Sequence, residues 1–241
     1  MAALANDLSA HDILELLRAR SLAAQLVRRP SSVVPAGVPE LDAILPDSGF
    51  PRGAVVELTA PGALSQATSV ALHACASAQQ QAQVRGGEPA WCAWLDPSCS
   101  LYAPGVVAHG VTLDRLLLVR PPSAALSRVA VRLVASRVFS VVVIDAVGVP
   151  GCEMPTPLHR WPNVVRRLAI AAQGGDTSIL LLTEQSASRA VGLPVAMRLE
   201  LAQHNAQQLS VRVAKERRGR IGPPRDVAYV RSSPCTARWS A

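Results

Sequence analysis

From Gly37 onward the chain alternates between short, continuous apolar runs and longer stretches with helical spacing. Five runs, AVVELT, AWCAWL, RLLLV, SVVVID and SILLLT, start at residues 54, 90, 115, 140 and 178. They lack the apolar–polar alternation of a half-exposed strand, which marks strands covered on both faces. Between them Ala63–Gln83, Pro122–Arg137 and His159–Ala172 read as helices. Strands alternating with helices predict an α/β domain with a mostly parallel, helix-covered central sheet. Three more runs, AMRLEL, QLSVRV and DVAYVR, follow with no helix between them, so the sheet is expected to end in an antiparallel extension.

Ahead of this pattern, Leu8 to Arg29 spaces Ile13, Leu16, Leu17, Leu22 and Leu26 along one face of a helix, with charges between. Ser9, with Asp12 three residues later, is a loose capping pattern, and PSSVVP breaks the helix. Such a stripe must be buried on something: the helix's own domain or a partner. The expected organisation is an N-terminal amphipathic helix and linker over 1–36, a core domain over 37–231 and a mobile tail over 232–241.

Composition narrows the class. Hydrophobic residues make up 49% and charged residues 17% of the 241 positions, against roughly 25% charged in an average domain, which excludes a disordered or collagen-like chain. The most apolar stretch, VVVIDAVGV, is interrupted by Asp145, and MAALANDLSA has no basic or apolar leader pattern; a cytoplasmic protein is expected. Five scattered cysteines without a C-x-x-C pair, and five dispersed histidines, lack the spacing of a disulfide framework or a metal site.

Charge is distributed unevenly. Of the net +7, the segment from Arg198 onward carries +6, from nine basic against three acidic residues. A basic end suggests an anionic partner, whether nucleic acid, nucleotide phosphate or an acidic protein surface; a solvated arginine-rich strand edge is the plainer reading. Lys215 is the single lysine in the chain.

The first strand runs through a Pro-Gly loop into a helix, the setting of a phosphate loop, GxxxxGK[ST]. That chemistry needs glycines so that backbone N–H groups wrap the phosphates, a lysine to neutralise charge, and a hydroxyl for magnesium. The matching places hold Ala60, Ser65, Gln66 and Ala67; Gly62 lies within the loop and Thr68 comes one position late. With the sole lysine at 215, no neighbouring misalignment recovers the motif. ATP hydrolysis is not expected, and no cofactor is assigned, although weak ATP binding stays open. VVVIDA ends in Asp145, where a Walker B aspartate would stand, but many buried strands end in Asp.

Several stretches, in order, resemble the RecA recombinase core. GVPELDAILPDSGFPRGAVVELTAP, with its G-x-x-x-L-D start and Pro51-Arg52-Gly53, is similar to the family's approach to its phosphate loop. WCAWLD, YAPGVVAHGVTLDRLLLVRP, VVVIDAV and ILLLTEQ resemble the strands and helix that follow. The resemblance covers about Gly37 to Arg231 and implies a RecA-like core. It makes Gln185 the nucleotide-sensing glutamine and puts Ser98 where the catalytic glutamate would fall. It sets the first DNA-binding loop around Gly151 to Arg160, and leaves only SASRAVGLPVA for the second. Lys215 and Arg217 match the basic pair that reaches a neighbour's nucleotide.

A RecA-like core without ATPase residues, with a G-x-x-x-L-D-x-x-L-P start and an arginine-rich end, resembles the ImuA family. That resemblance implies a non-catalytic accessory protein of SOS-induced translesion synthesis. Its partners would be ImuB, a Y-family polymerase relative, and possibly RecA and an error-prone DnaE-type polymerase. Arg212, Lys215, Arg217, Arg218, Arg220 and Arg225 are the candidate contacts to a partner or to DNA. Ile13, Leu16 and Leu17 are the candidate contacts to RecA or to a second copy. The chain has eight aromatic residues and none between Trp161 and Tyr229, so any DNA binding is expected to be weak, salt-sensitive and non-specific. The competing reading is an ATP-binding RecA-family paralogue acting in DNA repair.

Overall fold

A computed structural model describes residues 32–61, 66–147, 160–205 and 207–229. The strands are β1 (Val33–Val34), β2 (Phe50–Pro51), β3 (Ala54–Ala60), β4 (Cys92–Leu95), β5 (Leu116–Val119), β6 (Val141–Asp145), β7 (Ser178–Glu184), β8 (Met197–Asn205), β9 (Gln208–Glu216) and β10 (Arg225–Ala228). The helices are α1 (Pro39–Ile44), α2 (Gln66–Val84), α3 (Ala103–Ala108), α4 (Leu126–Ala135), α5 (Trp161–Ala172) and α6 (Gln185–Val191). Eight strands form one sheet in the order β10-β9-β8-β3-β7-β6-β4-β5, while β1 and β2 pair separately. Strands β3 to β8 are parallel, and β8, β9 and β10 form the antiparallel end. The expected mixed, mostly parallel sheet is what the chain builds.

The continuous apolar runs are explained by two cores, one on each face. Val56 and Leu58 of β3, Val141 and Val143 of β6, and Leu180 and Leu182 of β7 face α1, α2 and the antiparallel strands. The alternate residues, Val55, Val142, Ile144, Ile179 and Leu181, face α4 and α5. Side chains alternate across a strand, so strands buried on both sides need apolar residues at every position. Helices α4 and α5 bury one stripe each: Leu126, Ala130, Leu133 and Val134 on α4, and Trp161, Val165, Leu168 and Ala172 on α5. Arg128, Arg132, Arg166 and Arg167 occupy the opposite, exposed faces. Beyond β3 the described residues cover only one face of the sheet, and β8 and β9 accordingly alternate buried with more exposed residues.

Most differences from the expected elements lie at boundaries. Strands β8 and β9 run on to Asn205 and Glu216, and β10 stops at Ala228. A 3-10 turn at Ser123–Ala125 precedes α4. The segment after Gln185 is not a plain connector, since α6 starts at that residue. Among the described residues no helix is long and apolar enough to cross a membrane. The amphipathic stretch at 8–29 with Ile13, Leu16 and Leu17, and the tail at 232–241, lie outside the described residues.

The G-x-x-x-L-D start has a local physical reason. Asp42 reaches back from α1 to accept hydrogen bonds from the backbone N–H of Ala36 (2.6 Å) and Gly37 (3.2 Å), while Leu41 is fully buried. Burial raises the Asp42 pKa, and those two hydrogen bonds oppose the rise. Gly37 has φ +79°, and a Cβ there would stand 2.8 Å from the His73 carbonyl oxygen. Only glycine fits that approach of the loop to α2 without strain.

Candidate functional site

The parallel strands β3, β4, β6 and β7 all end at one edge of the sheet, and β3 sits between β7 and β8 there. The connections from β3 and β4 run one way along the sheet and those from β5, β6 and β7 run the other, and open α/β sheets place ligands at the strand ends where such connections diverge. Ala60 is the last residue of β3, buried in the core; Gly62 and Ser65 lie outside the described residues. Gln66 opens α2 with its side chain nearly covered, and its Nε2 donates to Gln203 Oε1 of β8 at 3.4 Å. Ala67 is fully buried, and Thr68 follows one helix position round, half-buried. These side chains supply neither the cation nor the correctly placed hydroxyl that a magnesium triphosphate requires. They do not fit that group.

The other residues of this edge are held by local bonds. Asp145 is buried at the end of β6 and accepts from the Val147 N–H at 3.0 Å, among other interactions. Asp96, fully buried just after β4, accepts from the N–H groups of Ser100 (2.9 Å) and Leu101 (3.0 Å) and from the Ser100 hydroxyl (3.2 Å). It thereby shapes the turn that contains Ser98, whose hydroxyl donates to Ser100 at 3.3 Å. Gln185 stands half-buried at the first position of α6.

A charged network that sequence reasoning did not single out lies beneath this edge. Glu57, in the middle of β3, is fully buried and stands opposite Arg198 in the β3–β8 register. Arg198 Nε meets Glu57 Oε2 at 2.6 Å, and Glu57 Oε1 accepts from Thr183 Oγ1 of β7 (2.9 Å) and Ser188 Oγ of α6 (2.7 Å). One carboxylate therefore ties together β3, β7, β8 and α6. The available signal was a lone Glu inside an otherwise apolar strand, because a buried carboxylate requires partners.

The six basic candidates fall at different places. Strand β9 is antiparallel to β8 and ends at Glu216 opposite Met197, which itself pairs with Val56 near the start of β3. The turn 217–220 therefore lies at the opposite edge of the sheet from the phosphate-loop position. Lys215 donates to the Leu193 carbonyl at 3.0 Å; burial, then Arg198, lowers its pKa, with Glu57 opposing. Arg212 faces Glu200 at 3.5 Å, a carboxylate it shares with Arg189. Arg220 grips Asp47 with both terminal nitrogens, at 2.8 and 2.7 Å, and also reaches Glu216. That guanidinium pushes the pKa of Asp47 and of Glu216 down and is itself raised. Arg217, Arg218 and Arg225 are exposed and make no side-chain ion pair among the described residues.

Residues 21–158 match the RecA N-terminal domain. The chain belongs to that family. Protein RecA of Bacillus licheniformis is 39% identical over 126 residues, covering 51% of this chain and 34% of that protein. Protein RecA of Oceanobacillus iheyensis is 37% identical over 126 residues, with the same two shares. Protein RecA of Mycobacterium marinum is 36% identical over 131 residues, covering 53% of this chain and 36% of that protein. The match thus spans about a third of the length of these RecA relatives. The family match at residues 21–158 takes in β3, β4, β5 and β6, the part of the core that carries Gln66, Ser98 and Asp145.

Proposed function

We propose that this RecA-family chain is a non-catalytic accessory protein of SOS-induced translesion DNA synthesis, of the ImuA type, with ImuB as its main partner. The observation that carries the reading is the start of α2. Gln66 bonds sideways to Gln203 and Ala67 is a buried methyl, where a nucleotide-driven RecA core needs a lysine and a hydroxyl. Losing that charge and that metal ligand removes several kcal/mol of phosphate and transition-state stabilisation. What is left is a RecA-like scaffold with exposed arginines at one edge, suited to holding proteins together. RecA, an error-prone DnaE-type polymerase and weakly bound DNA are the further partners of this reading.

The test is a pull-down from DNA-damaged cells with the tagged full-length chain, beside a phosphate-release assay with single-stranded DNA. Capture of ImuB without ATP turnover is the expected result. DNA-dependent turnover without capture of ImuB would replace this reading with an ATP-driven recombinase paralogue.

A further inference from the structure

Two adjoining recesses run along the edge of the sheet where β9 ends, away from the phosphate-loop edge. The larger, about 280 Å³, lies between α1, β9 and the turn leading into β10; Pro46 and Arg220 line it and the smaller recess of about 150 Å³ alike. Its floor is aliphatic: Ile44, Val211, Val213 and Ile221, the last 62% exposed. Arg225 lines one recess, and Arg52, Arg217 and Arg218 line the other. The wall between them is fixed, because Arg220 is clamped on Asp47 and Glu216, and Gly222 N–H donates to Val213 at 3.3 Å. Arg52 is held by the Asp176 carbonyl and Gln81, and its Nε has no partner among the described residues.

We propose that this groove binds a short acidic peptide segment of a partner protein. One aliphatic side chain would seat on Val213 and Ile221, and flanking carboxylates would meet Arg225 on one side and Arg217 and Arg218 on the other. The proposal rests on the reading of this face as a partner surface, not on which partner it is. Charge complementarity selects the occupant. The chain's own residues 230–241 contain Arg231 and Arg238 and no acidic residue, residues 1–31 carry four arginines against three acidic residues, and a second copy carries +7. The tail and a second copy are net cationic and so are disfavoured; residues 1–17, with Asp7, Asp12 and Glu15 and no arginine, are the competing occupant, and peptide binding that appears only after deletion of residues 1–30 would give the groove to that segment instead. Among the described residues no aromatic side chain lines either recess, so they offer a nucleic acid no base-stacking platform here. Guanidinium groups around an aliphatic seat match the recognition of acidic motifs by arginine clusters.

The experiment is fluorescence anisotropy of full-length protein with labelled Glu-Asp-Glu-Leu-Leu-Asp-Glu-Asp, a Ser-Ser version of it, and a dT oligonucleotide of similar charge. At about 50 mM salt the leucine peptide should bind at least about tenfold more tightly than the other two. Ile221→Glu and the double variant Arg217→Glu/Arg218→Glu should each weaken it about tenfold or more. Ile221→Ser, with circular dichroism on every variant, guards against misfolding, since these side chains are exposed. Equal binding of all three probes, unchanged by Ile221→Glu, would overturn the proposal, as would no peptide binding at all. ImuB capture that survives while peptide binding fails would remove the groove and leave the accessory reading standing. Peptide binding without ImuB capture would support the groove and remove that reading.

Discussion

Glu57 holds one buried polar network together, with Thr183, Ser188 and Arg198 as its partners. Removing one partner of a buried ion pair strands the other charge and typically costs about 3–5 kcal/mol, whereas replacing both with apolar groups is often close to neutral. Glu57→Leu should therefore lower unfolding stability in urea by about 3–5 kcal/mol, and the double variant Glu57→Leu/Arg198→Leu should lose clearly less. A double variant as unstable as the sum of the two singles would show that the pair is not coupled. His73 provides a second residue-scale case. Its ring stacks edge-on to His109 at 4.9 Å and to Tyr229 at 5.8 Å; burial, then His109, lowers its pKa from 6.5. Below pH 6.5 the unfolded chain takes up the proton first, so the stability present above that pH is lost as the pH falls toward the lower folded value. Thermal unfolding from pH 8 to 5 should show this loss, and His73→Gln should flatten it. An unchanged slope in that variant would assign the acid sensitivity elsewhere.

At the scale of elements, α6 is a short helix tied to the sheet interior by the Ser188 hydroxyl and by Val191, which packs against the core. The helix is seven residues long, too short to persist on its own propensity, so tertiary contacts must hold it. Its Ser188 hydroxyl donates to the same Glu57 oxygen as Thr183. Ser188→Ala should cost about 1 kcal/mol and speed amide exchange at residues 185–191 about fivefold while leaving β3 unchanged. Uniform acceleration across the sheet would mean that the hydroxyl supports the whole fold and not this helix. This element also shows where sequence reading stops. The double-faced strands were legible because both core faces demand apolar residues, and α4 and α5 because their stripes repeat at helical spacing. Helices α1, α3 and α6 have six or seven residues, and β1 and β2 two each, too few for a period to emerge. The Glu57–Arg198 pair joins residues 141 positions apart, a contact that no local pattern carries.

Across the whole molecule, the sheet keeps two chemistries apart. The parallel strands bring Gln66, Asp96, Asp145 and Gln185 to one edge, while β9, running back, delivers Lys215, Arg217 and Arg218 to the other. The order of these motifs along the chain was legible, but their separation was not, because it depends on strand direction and on the reversal at β8–β9. One consequence concerns restoring the phosphate loop. Gln66→Lys with Ala67→Thr would return a cation and a hydroxyl to the start of α2. It would leave Ser98 without a carboxylate and the chain's native lysine bonded to Leu193 at the far edge. Binding and turnover should then separate: calorimetry should detect tighter ATP binding in the double variant, with no DNA-dependent phosphate release. Burying a lysine beside the Gln203 position would itself cost stability, so circular dichroism must show the native fold before either result is read. Turnover in the double variant would mean that two positions alone hold this scaffold back from ATP chemistry. Turnover appearing only when Ser98→Glu is added would place the missing proton acceptor at the turn that Asp96 shapes.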